Sequence, residues 1–360
     1  MITADLRRAV VAAAGLAGAD PLLRPGPAPG SYTTSLPFRL ATPGQDSRQV
    51  ASALAARLSG EPWIAAAAPA GPGYLTVTVT NDALTRLAVR IVRAGPACAA
   101  SDALRGRTVP APPPADLAAA PSWPRARATL AAELIPRLAA AAGATVPLAA
   151  ERSVVPPPSP PPAADPQPGP VPQALDTGTP AAGPASGALD TGSPQLGPVA
   201  AAIEYAGADA VRFALARMPP TGADAGPQAA VIARHVLANP AYAVRYAHAA
   251  AVAVLRWATA LGTRPAGFRP CLLAEPGELA LLDALSWLPE RVAMAARHGR
   301  PDEFAGYLEE LAARTIDTMN TTGFTTMSSI SSERLWLADA ARTALAAGLG
   351  LLGIGAPGRL

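Results

Sequence analysis

The sequence contains no lysine, because all 29 basic residues among its 360 positions are arginine. This absence excludes a P-loop, a lysine Schiff base and a lysine clamp on phosphate. Cysteine is nearly absent too, and Cys98 and Cys271 lack the spacing of a metal site. We therefore expect buried thiols in a reducing, cytoplasmic compartment, with no metal and no cofactor.

Long hydrophobic runs are also missing, and aromatic residues make up only 4% of the chain. No window of 18 or more apolar residues occurs, because Arg256 interrupts the best candidate, and we expect no membrane-spanning helix. Residues 7–19 imitate a signal peptide. Asp5 precedes this alanine-rich run and Asp20-Pro21 follows it, so export is not expected.

Proline, by contrast, is abundant, with 42 residues, 22 of them between Pro110 and Pro198. The composition predicts a multidomain protein in three parts. A small α+β domain occupies 1–96, a linker rich in proline and alanine occupies 97–198, and an all-α helical bundle occupies 199–360.

The linker is expected to be disordered over roughly 146–198, where too little apolar surface is available to offset the entropy of ordering. A short helix is predicted near 125–144, and Pro136 should kink or split it.

Charge is unevenly distributed between the domains. Residues 1–96 hold nine arginines and five acidic residues, whereas residues 199–360 hold fourteen of each. A neutral helical domain cannot bind nucleic acid through bulk counterion release. Any such binding would depend on local arginines, stacking and shape.

Hydrophobic periodicity, and the glycine and proline residues that interrupt it, predict the helices and strands of both domains. In the N-terminal domain we expect helices at 3–17, 47–59 and 81–95, the last capped by Asn81 and Asp82, and a strand at 74–80. In the C-terminal domain we expect helices at 199–217, 225–237, 240–262, 276–298, 302–320 and 331–350. Asn239-Pro240 is a favourable start for the third of these, with a cap residue followed by proline.

One face of the 240–262 helix is the candidate functional surface. Tyr242, Arg245, Tyr246 and Arg256 fall within about 100° of one another on a helical wheel. Such a face could stack bases and hold phosphates. Equally, the tyrosines could cap the core and the arginines be solvated, and spacing alone favours this second reading. His248, on the opposite side, is expected to be a core histidine.

Five C-terminal segments form a distinctive set. They are GADAVRFALARM (207–218), NPAYAVRYAHA (239–249), LAEPGELALLDALSWLPERVAMAA (273–296), YLEELA (307–312) and GLGLLGIGAPGRL (348–360). In this order they resemble the DALR anticodon-binding domain of arginyl-tRNA synthetase, and Asp209-Ala210-Val211-Arg212 matches the tetrapeptide that names the domain. The resemblance implies that Tyr242 and Tyr246 meet the anticodon loop. Arg245, Arg256 and Asn239 are further candidate contacts, for which an RNA-binding and a solvated or structural role both stay open.

The N-terminal domain is similar to the additional N-terminal domain of the same enzymes. GSYTTS (30–35) matches a family loop whose tyrosine reads a base at the tRNA elbow, which assigns that role to Tyr32. Ser35 stands where the family has asparagine, and Ala250 where it has arginine. Leu360 stands where the family brings a C-terminal methionine near the anticodon.

The chemistry of the resembled enzyme is not expected here. The family places a Rossmann-type catalytic domain between its two ends, where this chain has about 100 proline-rich residues. His235, His248 and His298 stand too far apart for the family's His-x-Gly-His pair, and the Lys-Met-Ser-Lys-Ser loop cannot exist without lysine.

Three functional hypotheses follow. The first is a non-catalytic protein that binds tRNA, most simply arginine tRNA, at the anticodon and the elbow, through two domains on a flexible tether. The second is a scaffold whose helical bundle binds a protein, such as the catalytic arginyl-tRNA synthetase, with RNA binding lost. The third is one half of a split enzyme. The first is preferred, and salt-dependent RNA binding would separate it from the second.

Overall fold

The computed structural model describes residues 1–15, 20–147, 197–220, 225–321, 324 and 330–360. Its N-terminal part is a small α+β domain, as predicted. The helices are α1 (Ile2–Ala14), α2 (Leu36–Leu40), α3 (Ser47–Leu58), α4 (Asn81–Thr85) and α5 (Leu87–Ala94). The strands are β1 (Leu23–Pro25), β2 (Ser31–Thr34), β3 (Ile64–Ala70) and β4 (Tyr74–Val79).

These strands form one antiparallel sheet in the order β1-β2-β4-β3. Tyr32 of β2 lies opposite Val77 of β4, and both side chains are buried. The predicted helix at 81–95 is interrupted at Arg86, and its cap is Thr80 rather than Asn81. The Thr80 hydroxyl accepts from the backbone N–H of Ala83 at 3.1 Å, since its extended backbone places the oxygen over the first turn.

Residues 97–147 correct the predicted boundary of the linker. After a 3₁₀ turn at Gly95–Ala99, helix α6 (Trp123–Ala141) runs through Pro136 without splitting. Leu130, Leu134 and Leu138 of α6 are fully buried in the main core. This burial compensates for the hydrogen bond that proline removes. The part of the predicted linker at 148–196 lies outside the described residues.

The C-terminal part is helical, as predicted. Its helices are α7 (Pro198–Ala206), α8 (Ala208–Ala216), α9 (Ala229–Ile232), α10 (Pro240–Ala260), α11 (Pro276–Ser286), α12 (Leu288–His298), α13 (Pro301–Met319) and α14 (Ser332–Leu351). Within the ranges described, no helix is long and apolar enough to cross a membrane.

Two predicted helices are each broken in two, and a third is much shorter. Gly207, with φ of 86°, separates α7 from α8, because this conformation is accessible to glycine and cannot continue a helix. The chain also turns at Trp287, between α11 and α12. The helix expected at 225–237 is reduced to the single turn α9.

The two domains share one hydrophobic core rather than two separate ones. Leu75 of the sheet, Leu134 of α6 and Leu308 of α13 all belong to the same buried cluster. Helix α5 packs on α14, and α6 packs on α12. The N-terminal domain therefore lies directly against the helical bundle in the described structure, and the proline-rich stretch is not the sole connection between them.

Candidate nucleic-acid interface

The start of α10 is fixed by Asn239, which the sequence placed among the RNA-binding residues. Its side-chain oxygen accepts from the backbone N–H of Ala241 at 3.2 Å. Its amide nitrogen donates to the carbonyls of Ile232 at 2.7 Å and Arg234 at 2.8 Å. The residue is 4% exposed. The assignment of Asn239 as an RNA contact is therefore corrected: its amide caps the helix and holds the preceding loop.

That loop returns over the first turns of α10 and completes an aromatic stack. The ring of His235 stacks on Tyr242, with centroids 5.4 Å apart and 12° between planes. Tyr242 in turn stacks on Tyr246 at 5.8 Å and 27°. His235 is exposed, and both tyrosines are half-buried. We call these three rings the aromatic stack.

His235 was missed in the sequence because it falls outside α10. The segment 225–237 was expected to be helical, which would carry His235 away from the tyrosines. Its placement depends on the hydrogen bonds of Asn239 described above. The periodicity of the sequence gives no sign of these bonds. A ring shortly before the Asn-Pro start was the only available signal.

The two arginines of the predicted face have different environments. Arg245 is partly buried and pairs with Asp209, at 3.8 Å between Nη2 and Oδ2. Arg256 is exposed, and it has no ion pair with any described residue. Arg234, beside His235, is likewise exposed without an ion pair in the described part of the chain. Arg234, adjacent to the stack, and Arg256, about 15 Å beyond Tyr246 along α10, are therefore guanidiniums open to phosphates.

The DALR-like tetrapeptide fastens the C-terminal tail. Oδ2 of Asp209 accepts from the backbone N–H of Gly355 at 3.3 Å. Arg212 donates from Nε to the carbonyl of Leu352 at 3.3 Å and pairs with Glu133 of α6 at 2.7 Å. The motif is thus a structural clamp that joins α8, α6 and the tail.

His248 extends this clamp, as its predicted core position suggests. Its Nδ1 lies 2.9 Å from the carbonyl oxygen of Pro357, and the residue is 4% exposed. Leu360, three residues further on, is 55% exposed. The tail therefore follows α10, and its last side chain remains open to a ligand.

We expect the fold around His248 to lose stability in mild acid, because a charged imidazole is disfavoured by burial. Burial, and secondarily the nearby Arg342, lower the pKa of His248, while its bond to Pro357 opposes the shift. The unfolded chain then binds a proton more readily, near pH 6.5, so the free energy of unfolding should fall as the pH drops from 7 through 6. Urea unfolding of wild type and His248→Gln should diverge in this range. Parallel pH profiles would contradict the assignment.

Tyr32 does not lie at the surface, which corrects its predicted contact with RNA. The side chain is fully buried. Its hydroxyl donates to Oγ of Ser286 at 2.8 Å, and its ring lies 5.3 Å from that of Trp287. Burial raises the pKa of the hydroxyl. Tyr32 therefore joins the sheet to α11 and offers no face to a base.

A different aromatic pair is exposed on the N-terminal domain. Phe38 is 40% exposed and Tyr74 is 37% exposed. Their rings meet edge to face at 5.0 Å. The turn before Tyr74 docks on α3 through Ser47, whose hydroxyl donates to the Pro72 carbonyl at 2.9 Å. Arg48, the next residue, is exposed and has no ion pair within the described ranges.

No group of histidine, cysteine, aspartate or glutamate among the described residues could hold a metal ion. Each histidine has another contact. His235 stacks on Tyr242, His248 contacts the Pro357 carbonyl, and Nδ1 of His298 lies 3.1 Å from Glu303.

Two protein families match this chain. Residues 1–79 match the arginyl-tRNA synthetase N-terminal domain. Residues 244–360 match the DALR anticodon-binding domain. The second match includes Tyr246 and Arg256 and begins two residues after Tyr242.

Individual relatives are named arginine–tRNA ligase. The chain is 39% identical to an arginine–tRNA ligase of Clavibacter sepedonicus over 165 residues, covering 44% of this chain and 29% of that protein. It is 37% identical to the ligase of Kineococcus radiotolerans over 164 residues, with the same coverage. The chain thus spans less than a third of the length of these relatives.

The fold is also similar to a solved structure, Thermus thermophilus arginyl-tRNA synthetase. The TM-score is 0.67 at 16% sequence identity, and the alignment covers 100% of both chains. At this identity the likeness concerns the fold alone. The matches to the two domain models and the identity to the ligase relatives show an arginyl-tRNA synthetase-like protein that carries the N-terminal and DALR anticodon-binding domains.

Proposed function

We propose that this protein is a non-catalytic tRNA-binding protein whose aromatic stack binds the anticodon loop. The observation that carries the proposal is the stack itself. Three rings are held in register at the open end of α10, and every base has a π-face that can continue such a stack. The tRNA is proposed to be arginine tRNA, as the ligase relatives suggest, and the compartment the cytoplasm.

Arg256 and Arg234 would supply the phosphate contacts. Because the helical domain as a whole is neutral, few counterions would be released on binding. With two phosphate contacts on single-stranded RNA, the slope of log K against log salt should be about −1.4. A steep slope would instead indicate binding through the basic N-terminal domain.

Phe38 and Tyr74 replace the buried Tyr32 as the proposed contact to the tRNA elbow. Their exposed rings beside Arg48 suit an unpaired base, such as one at the tRNA elbow. Because both domains pack on one core, the two surfaces would act as a fixed pair rather than as tethered sites. Binding would then select RNA by shape as well as by sequence.

The absence of catalysis is supported by composition. Adenylate chemistry needs positive groups aimed at the developing charge of the triphosphate. The sequence has no lysine to supply them, and so no Lys-Met-Ser-Lys-Ser loop. We therefore propose that ATP–pyrophosphate exchange is absent.

A second function is favoured by one observation. Val236 and Leu237 directly follow His235 in the chain, Val231 precedes it by four residues, and each of the three is 46 to 51% exposed. Exposed aliphatic side chains next to aromatic rings are also typical of protein interfaces. The alternative is that this surface binds a protein, such as a catalytic arginyl-tRNA synthetase, and no longer binds RNA.

The deciding experiment is a titration with purified arginine tRNA and with total tRNA, at low and near-physiological salt. Tyr242→Ala/Tyr246→Ala should weaken binding about 5- to 150-fold, since a stacked base contributes about 1–3 kcal/mol. Tyr205→Ala is the matched control, because Tyr205 is 67% exposed and makes no ring contact among the described residues. Equal binding by all three proteins would sink the proposal, and absence of binding at low salt would favour the protein interface.

A further inference from the structure

A polar cavity lies at the junction of the two domains, away from α10. It has a volume of about 250 Å³. One wall is the proline-rich loop 25–29, and the others are formed by α11, α12 and α13. The backbone N–H of Gly30, at the end of that loop, donates to Oδ1 of Asp283 at 2.9 Å, which ties the loop to the bundle.

Two hydrogen-bond donors of the cavity lining have no partner. Nε1 of Trp287 and Nε of Arg291 are both buried, and neither has an acceptor among the described residues. A buried unpaired donor is costly, so such groups in native proteins usually have a bound water, ion or ligand. Trp287 is only 4% exposed, so bulk solvent does not satisfy its N–H.

Arg291 is also held in place without a counterion. Its guanidinium carbon lies 6.0 Å from the ring centroid of Trp287 and 5.9 Å from that of Tyr307. No carboxylate in the described part of the chain lies within ion-pair distance of it. A guanidinium fixed between two rings is preorganised to bind a planar carboxylate with two parallel hydrogen bonds.

The same cavity also offers acceptors. Asp283 uses one oxygen for Gly30, and no described donor reaches the other. Burial raises the pKa of this carboxyl, as expected where donors are too few. Glu310 is paired with Arg314 at 2.9 Å, so that couple is neutral on its own. The groups left open are the cationic Arg291 and the anionic Asp283.

We propose that this cavity binds a small zwitterion of the α-amino acid class. The carboxylate of the ligand would accept from Arg291, and its ammonium would donate to Asp283. A simple anion would face Asp283, and a simple cation would face Arg291, so each would meet a repulsive charge in a partly desolvated space. A ligand of both signs meets neither. The volume falls below that of drug-sized pockets, which suits a molecule of few atoms.

The cavity contains no residue of the aromatic stack, so ligand binding in it can fail or succeed independently of RNA binding. Because the loop, α11 and α13 all line it, a bound ligand should also strengthen the domain junction. Binding to the folded state alone raises the melting temperature. Thermal unfolding therefore provides a readout besides direct binding.

The test uses the full chain with three probes of nearly equal shape: L-alanine, propionate, which lacks the ammonium, and ethylamine, which lacks the carboxylate. Calorimetric titration of the wild type should give saturable binding of L-alanine, with propionate and ethylamine weaker by about tenfold or more. L-alanine should also raise the melting temperature.

Variants then locate the site. Arg291→Gln and Asp283→Asn should each weaken L-alanine binding by about tenfold or more. Arg264→Gln should not, because Arg264 is exposed and lies outside the cavity lining. No binding of any probe by the wild type would overturn the proposal, as would propionate binding as tightly as L-alanine. If a cavity variant is misfolded by circular dichroism, the probe series on the wild type still decides.

Discussion

Replacement of Tyr32 by alanine should lower the free energy of unfolding by about 3–5 kcal/mol, the range found for large aromatic side chains removed from a core. Tyr32 is fully buried and packs on Trp287 at 5.3 Å. Its loss would open a cavity between the sheet and α11, and the hydrogen bond from Gly30 to Asp283 would oppose its collapse. Urea unfolding followed by circular dichroism measures the effect.

Tyr32→Phe is the matched variant. It keeps the ring and removes only the hydroxyl that donates to Ser286, so it should cost about 0.5–1.5 kcal/mol. Ser286 retains a partner, since its own hydroxyl donates to the carbonyl of Asp283 at 2.7 Å. RNA affinity should be unchanged in Tyr32→Phe. A strong loss of RNA binding with normal stability would restore Tyr32 as a direct contact.

Removal of the Glu290 carboxylate should be nearly as destabilising, by about 3 kcal/mol, because it leaves Arg7 partly uncompensated. The two side chains are 14% and 6% exposed, and Arg7 donates to Glu290 across the domain junction. The loss is placed at the lower end of the range for buried pairs because Asp20 remains 3.2 Å from Arg7. Glu290→Ala and wild type would be compared by urea unfolding.

Two controls define what that loss means. Asp102→Ala breaks the ion pair between Asp102 (52% exposed) and Arg105 (79% exposed). It should change the free energy of unfolding little, because surface ion pairs contribute little to stability. Arg7→Met/Glu290→Leu should recover much of the stability, because an apolar pair leaves no buried charge. If Glu290→Ala unfolds like wild type, the two domains are not held together by this contact.

Both predictions depend on the domain junction, which the sequence did not indicate. Periodicity correctly predicted a small α+β domain and a helical domain, and composition separated the two. The composition also suggested a linker beginning at residue 97, because prolines become frequent soon afterwards. Apolar residues of α6 at positions 130, 134 and 138 nevertheless pack into the shared core. Composition averages over a segment, whereas burial depends on one face of one helix.

The candidate site was predictable to the same uneven extent. The start of α10 and the shared face of Tyr242 and Tyr246 follow from local spacing, and both are confirmed. Arg245 lies on the predicted face, but its pairing with Asp209 depends on α8. The stacking of His235 and the structural role of Asn239 have the same cause. The amide of Asn239 folds the preceding loop back onto the helix.

The sequence alone determined the chemistry that is available: arginine without lysine, a helix that begins at Asn239-Pro240, and two tyrosines one turn apart. These depend on residue identity and on contacts within a few positions, where local rules apply. Only the tertiary structure decided which groups are open to a ligand. Tyr32 is covered by α11, Phe38 and Tyr74 are left exposed, and Arg291 has no counterion among the described residues. Exposure is set by packing between residues distant in sequence, which no local pattern records.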